Sequence, residues 1–351
     1  MALGLPAKLQ DVAFLLVVFL VTSVALRHYL IALKRRGIVE DITERSLHTI
    51  PVPTGGGWVV VGCIVISCLL YAKGLSDRET ILLGCILTLA GVSWIDDLKS
   101  LSATLRLGVH FACVVAATAM LSPDARILPI DVGFWADRVA CVLIWVWLIN
   151  LNNFMDGIDG MAGTDAIHMF SGYIFLGLAI GMGRNELILS IATIGACLAF
   201  LRFNWQPSKI MLGDVGSIPF GFMNGWFLIT MAVKGYHAAA VILPLYYLMD
   251  TTLTLAIRAA RGEQVFRPHR EHFYQRAVLG GLTHQAVVLR VTMARGVLLI
   301  LAVVSLKWPL LALAVAIAVS VHQLLILREH SKGASKKPIQ RPKLAGGSEQ
   351  A

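Results

Sequence analysis

Four polar clusters in this chain place carboxylates, amides, glycines and basic groups at spacings suited to chemistry on a charged, oxygen-rich substrate. The first is Trp94-Ile95-Asp96-Asp97-Leu98-Lys99, where two adjacent acids close an apolar stretch. Like charges this close repel, and a helix C-terminus disfavours negative charge, so a cation is expected beside them. Positions i and i+1 leave a helix in different directions, which gives the two acids different tasks. The second is Asn150-Leu151-Asn152-Asn153-Phe154-Met155-Asp156-Gly157-Ile158-Asp159-Gly160. Asn150 and Asn153 share a helix face, and Gly157 and Gly160 turn the chain so that Asp156 and Asp159 enter the same cleft. Carboxylate and amide oxygens bind hard cations, so Mg²⁺ with a phosphate substrate is the natural chemistry. The structural alternative, an amide-capped helix end and a glycine turn, accounts for the glycines but not for two acids beside an apolar stretch.

The third cluster, Phe203 to Ser217, ends in Gly213-Asp214-Val215-Gly216-Ser217. An acid between glycines lets backbone approach an anion, and Ser217 is placed to cap the next helix. On its own this sequence is also ordinary turn chemistry. The fourth, Arg267-Pro268-His269-Arg270-Glu271-His272-Phe273-Tyr274-Gln275-Arg276, gathers two histidines and three arginines that could grip a diphosphate by charge-assisted hydrogen bonds. A basic loop near anionic lipid explains the arginines but not the histidines with Phe273 and Tyr274 between them. Two further features are the loop from His48 to Gly57 and an acid, Asp250, well inside an apolar run. An acid at membrane depth is functional by default, with a structural pairing to Arg258 or another basic group as the alternative.

The elements that must position these groups are membrane helices. The chain has 351 residues, 57% hydrophobic and 15% charged. An average soluble domain is about 25% charged, so an ordinary cytosolic enzyme and any disordered or fibrous class are excluded. Apolar runs at 11–33, 57–72, 80–95, 104–121, 135–152, 161–180, 186–202, 218–233, 237–257, 286–306 and 308–327 predict an all-α, polytopic protein of about eleven transmembrane helices. The first run has neither a basic start nor a small-residue cleavage site, so it is expected to be a helix, not a signal peptide. Basic residues divide twenty to eight between the two sets of connections, which puts the richer set in the cytoplasm, the N-terminus outside and the C-terminus inside. Residues 1–330 then form one transmembrane catalytic domain, and 331–351 a basic cytoplasmic tail expected to be disordered. The net charge of +9 is accounted for by this orientation signal and a grip on phosphate, not by nucleic acid. All six cysteines lie in apolar stretches without metal-ligand spacing and are expected to be packing thiols.

Taken together, the clusters resemble the polyprenyl-phosphate N-acetylhexosamine-1-phosphate transferase superfamily. Its DDxxK pattern matches Asp96, Asp97 and Lys99. Its NxxNxxDGxDG matches Asn150, Asn153, Asp156, Gly157, Asp159 and Gly160, and residues 203–217 closely approach FNxxPAxxFxGDxGS. His269 and His272 correspond to its histidine loop, and His48 to Gly57 to its proline-glycine loop. Thr54 stands where an arginine is common, and Ser208 where the pattern has alanine. RPHREHFYQR is most similar to the branch that initiates O-antigen synthesis from UDP-activated N-acetylated 6-deoxyhexosamines such as N-acetylfucosamine or N-acetylquinovosamine.

The resemblance implies a multi-pass enzyme of the bacterial inner membrane with its site on the cytoplasmic face. A polyprenyl phosphate would attack the β-phosphorus of a UDP-N-acetylhexosamine and release UMP. By the same resemblance Asp214 and Asn153 would hold Mg²⁺, with Mn²⁺ as an alternative. Asp97 would orient or deprotonate the lipid phosphate or organise Lys99, with an aspartyl intermediate as the competing route. Asp96, Lys99, Asp156 and Asp159 would complete the catalytic set, and His48, Asn150, Asn153, Arg267, His269, Arg270 and His272 would bind substrate. A homodimer is compatible with the spans. The rival class is a secondary transporter, whose sites lie near the midplane in internally repeated halves; here the acids lie at helix ends and no repeat is evident.

Overall fold

The computed structural model describes residues 7–37, 47, 51–72, 74–265 and 269–331, and every regular element among them is helical. In chain order these are α1 (Ala7–Arg35), α2 (Gly56–Tyr71), α3 (Asp77–Lys99), α4 (Ala103–Thr118), α5 (Phe134–Phe154), α6 (Met161–Ile180) and α7 (Arg184–Asn204). They continue as α8 (Asp214–Val233), α9 (His237–Ile242), α10 (Leu245–Ala260), α11 (Phe273–Leu279), α12 (His284–Val304) and α13 (Pro309–Ser331). Starts are set by local chemistry. Ser76 and Glu79 exchange hydrogen bonds at the head of α3, while Ser102 and Thr283 cap α4 and α12.

Each of the eleven apolar runs is helical, but the ninth is broken. Pro244 has no N–H and its ring crowds the preceding turn, so α9 stops at Ile242 and α10 starts at Leu245. Among the described residues, seven helices (α1, α3, α5, α7, α8, α12 and α13) are long and apolar enough to cross a bilayer. The apolar helices α2 and α4 have 16 residues each, short of the roughly 20 that a full crossing needs. The chain is therefore a polytopic membrane protein. The expected eighth span begins earlier than its apolar run, because Asp214 already lies in the helix and Gly213 at its cap. Ser217 is thus inside the first turns, not at the cap.

The bundle is built around α8, whose membrane segment is 94% buried. It packs against α5, α3, α2 and α9. Trp145 of α5 lies between Phe222 and Trp226 of α8 and donates its indole N–H to the Phe222 carbonyl at 2.9 Å. At one end of the bundle, α2 and α8 begin almost in contact. A Cβ on Gly57 would fall 2.6 Å from the Gly216 Cα and 2.8 Å from the Leu212 carbonyl oxygen. No rotamer change relieves a clash with backbone, so both positions require glycine.

Gly57→Ala is expected to lower the melting temperature of the detergent-solubilised protein by several degrees, in line with an overpacking cost of about 1–3 kcal/mol. Gly62 lies in the same helix and an added Cβ there meets nothing within 4 Å, so Gly62→Ala should melt like the wild type or slightly higher. Equal melting of the two variants would refute this account of the α2–α8 junction.

Candidate active site

Three helix ends and one loop bring the acidic clusters together. Asp96, in the last turn of α3, accepts the Arg106 Nη1–H at 2.6 Å and the Leu101 backbone N–H at 2.7 Å. Arg106, in the first turn of α4, also lies 3.8 Å from Asp214 at the start of α8. Asp214 accepts the Asn153 amide at 2.7 Å, and the same amide donates to Ser217 at 3.0 Å. A single guanidinium thus stands between the first and third acidic clusters, and an asparagine ties the third to the second. At an effective dielectric of about 20, opposite charges 4 Å apart gain about 4 kcal/mol. Arg106 is about one-third exposed, so solvent screening reduces its share.

Backbone pairing holds this arrangement. Gly56 and Gly57 donate to the carbonyls of Met211 and Leu212 at 2.9 and 2.8 Å, and Met211 donates back to Pro53 at 2.8 Å. The loop entering α2 is thereby laced to the loop entering α8. Gly213 has a φ of 74°, which aims Asp214 into the junction. Asn204, at the end of α7, accepts the Gly160 N–H at 2.8 Å and donates to the Ile210 carbonyl at 3.0 Å, tying the second loop to the third. Asp159 accepts the Ser208 N–H at 3.2 Å and lies 3.4 Å from His284 at the head of α12.

The histidine loop forms the other wall. His269 and His272 lie 4.9 Å apart, and His272 stacks on Phe154, the residue after Asn153, at 6.1 Å. The Tyr274 hydroxyl donates to the Phe154 carbonyl at 2.9 Å. Partial burial, with His272 and Arg258 nearby, pushes His269 down to about 4. It is therefore a neutral donor at pH 7. Arg258 pairs with Glu263 at 2.9 Å and with Glu271. The Asp250–Arg258 pairing considered from the sequence is replaced by Asp250 against His272 at 3.4 Å.

Asp97 is exposed in the last turn of α3, within electrostatic reach of Tyr29 of α1. Lys99, the final residue of α3, is exposed. Asp156 follows the turn after Asn153, within electrostatic reach of Tyr247 and Tyr274. Asn150 donates to the Val146 carbonyl of its own helix at 2.8 Å. Arg270 lies beside His269 in the loop, while His48 and Arg267 fall outside the described residues. Sequence reasoning missed Arg106, Asn204 and His284. Arg106 was foreshadowed by the cation that the Asp96-Asp97 pair requires, but that argument could not say which basic residue supplies it.

Among the described residues no three His, Cys, Asp or Glu side chains converge as a cation cage. Mg²⁺ rarely uses one. It is commonly held by one or two carboxylates with substrate phosphates and water, and a partly exposed Asp214 beside Asn153 fits that pattern. The Asn153 NH₂ faces Asp214, so ligation by its oxygen requires the amide to turn over.

Residues 80–232 match the model of glycosyl transferase family 4. The chain is 24% identical to a phospho-N-acetylmuramoyl-pentapeptide-transferase of Chloroherpeton thalassium, over 77% of this chain and 84% of that one. It is 25% identical to a probable undecaprenyl-phosphate N-acetylglucosaminyl 1-phosphate transferase of Bacillus subtilis, over 78% of each. It is 28% identical to a decaprenyl-phosphate N-acetylglucosaminephosphotransferase of Mycobacterium tuberculosis, over 73% and 72%. The family-model match and the names of these relatives support the polyprenyl-phosphate hexosamine-1-phosphate transferase superfamily that the sequence motifs resemble. These relatives are phosphosugar transferases by name, which supports a transferase reading of this membrane protein.

Arg106→Gln should lower turnover at least tenfold, and Arg106→Lys should recover part of it, because a lysine restores the charge but not the planar fork. Wild-type turnover in Arg106→Gln would exclude Arg106 from the site. His269 titrates near 4 folded against about 6.5 unfolded, so its stabilising contribution is present above pH 6.5 and lost as pH falls towards 4. Thermal melts from pH 7 to 4 should steepen in that window, and His269→Gln should flatten them.

Proposed function

We propose that this protein transfers a sugar 1-phosphate from a UDP-N-acetylhexosamine to undecaprenyl phosphate, releasing UMP and starting O-antigen or another cell-surface polysaccharide. The observation that carries the reading is the junction of Asp96, Arg106, Asp214 and Asn153, one set of groups suited to neutralising two anionic substrates as they meet. The names of the relatives, which include undecaprenyl- and decaprenyl-phosphate transferases, support the acceptor class. The RPHREHFYQR loop supports an N-acetylated 6-deoxyhexosamine, N-acetylfucosamine or N-acetylquinovosamine, as the sugar. The excess of basic residues in one set of connections supports a cytoplasmic site in the bacterial inner membrane.

In this reading an oxygen of the lipid phosphate forms the new bond to the β-phosphorus. The bond from that phosphorus to the bridging oxygen breaks, and UMP leaves with the oxygen and its electron pair. The anomeric C–O bond is untouched, so configuration is retained. Positioning and charge neutralisation carry such a transfer. Asp97 orients the lipid phosphate, whose second pKa near 6 leaves it largely dianionic at pH 7. Asp96 holds Arg106 in place, while His269, Arg270 and His272 hold the diphosphate. Asp156 faces the nucleotide sugar, and Asp159 fixes the loop that carries it. Asp214 and Asn153 would hold Mg²⁺, which supplies Lewis-acid neutralisation of the diphosphate when bound.

Purified protein with undecaprenyl phosphate and Mg²⁺ should release UMP from one or more members of a panel of UDP-N-acetylated sugars, fastest with the 6-deoxy sugars. Asp97→Asn should reduce that release at least a hundredfold. Release without added lipid, or no release from any sugar in the panel, would contradict the proposal. Best turnover with UDP-N-acetylglucosamine would contradict only the sugar assignment.

A further inference from the structure

Asp250 is fully buried in α10 and takes no part in the junction described above. Three donors converge on its carboxylate. The Tyr246 hydroxyl donates to Oδ2 at 3.0 Å, the Phe273 N–H donates to Oδ1 at 3.0 Å, and the Tyr274 N–H donates to Oδ2 at 3.3 Å. His272 Nδ1 lies 3.4 Å from Oδ1. The two amides belong to the first residues of α11, where helix N–H groups have no partners within their own helix. A side chain from another helix, more than twenty residues earlier, therefore performs the capping that His272 does not, since His272 at the cap position makes no capping bond through its side chain.

The same carboxylate faces the histidine arm, with His272 Nδ1 in contact distance but not hydrogen-bonded to it. With Nδ1 of His272 against Asp250, Nε2 is the ring nitrogen left to meet a substrate. The arm is also keyed to the second acidic loop. His272 stacks on Phe154, the Tyr274 hydroxyl bonds the Phe154 carbonyl, and Gly157 has no room for a Cβ beside that hydroxyl. Phe154 is covalently next to Asn153, which bonds Asp214. One continuous set of contacts thus runs from Asp250 through His272 and Tyr274 to the groups that would neutralise the diphosphate.

We propose that Asp250 is a positioning residue for the transfer, holding His272 and the head of α11 at a fixed distance from the Asn153–Asp214 pair. The proposal rests on the phosphosugar-transfer reading for its kinetic consequence, though not for its structural one. A misplaced arm would bind the ground state nearly as well but meet the transition state poorly, so the effect falls on kcat more than on KM.

Asp250→Asn preserves shape but turns one acceptor into a donor. Amide hydrogen exchange in the peptide containing Phe273 and Tyr274 should accelerate at least tenfold in this variant, without comparable change in α5 or α8. UMP release should lose at least tenfold in kcat, with KM for the UDP-sugar changed less than threefold. In a His272→Gln background, adding Asp250→Asn should cost less than threefold, because the arm it positions is already disabled. Unchanged exchange at 273–274 overturns the proposal, as does a kcat loss that multiplies fully with that of His272→Gln. If Asp250→Asn does not fold, Asp250→Ser, which keeps one acceptor, is measured with the same criteria. Absence of UMP release by the wild type would overturn the functional reading alone, and the exchange measurement would still decide the positioning.

Discussion

Negative charge gathered at the end of an apolar bundle has to be neutralised locally, and the rest of this site follows from how that is done. Asp96 and Asp97 close α3 where its dipole is least favourable to them, and Asp214 lies a short distance across the junction. Arg106 is the common partner of Asp96 and Asp214. It enters from the first turn of α4, held there by the Ser102 cap and the short connection after α3. A guanidinium shared by two carboxylates leaves each incompletely neutralised. Such a cluster suits a further cation and an incoming phosphate better than it suits rest.

The loops that carry these groups are short, and they are held to one another more than to the helices they join. The stretch from Pro53 to Gly57 hydrogen-bonds with Met211 and Leu212, Asn204 bridges Gly160 to Ile210, and Asp159 bonds Ser208. Each bond satisfies backbone groups that would otherwise be exposed in a poorly solvated place, so satisfying the backbone and positioning the site are one task. The glycines at 57 and 216 allow it by letting the heads of α2 and α8 approach to backbone contact. Substitutions at these glycines are therefore expected to affect stability and site geometry together.

Much of this was legible in the sequence because charge is so scarce. Each acid at the edge of an apolar run marked a helix end, and the four clusters named the loops that meet. The apolar runs placed every long helix, while their edges missed by a few residues where polar helical turns, such as that of Asp214, extend beyond the apolar stretch. Pairing across the fold was not legible. Nothing in local spacing says that Arg106 serves two acids 118 residues apart, or that Asn150 turns back to Val146 when Asn153 does not. Pro244 announced a break in the ninth run, but hydropathy alone passed over it. Asp250 was visible as an oddity; its partners, two backbone amides and a histidine from a later loop, carry no sequence signature.

A membrane helix bundle confines polar groups to its ends, and a lipid phosphate reaches a soluble nucleotide sugar only at such an end. The convergence of carboxylate, amide, guanidinium and imidazole there suits transfer at phosphorus, where charge must be neutralised, more than transfer at the sugar carbon. The most direct test follows the β-phosphorus itself. With UDP-sugar carrying ³²P at the β-position and undecaprenyl phosphate as acceptor, the account predicts that the label moves into the lipid fraction while unlabelled UMP is released. Label retained in the nucleotide as UDP would mean attack at the anomeric carbon and would contradict it.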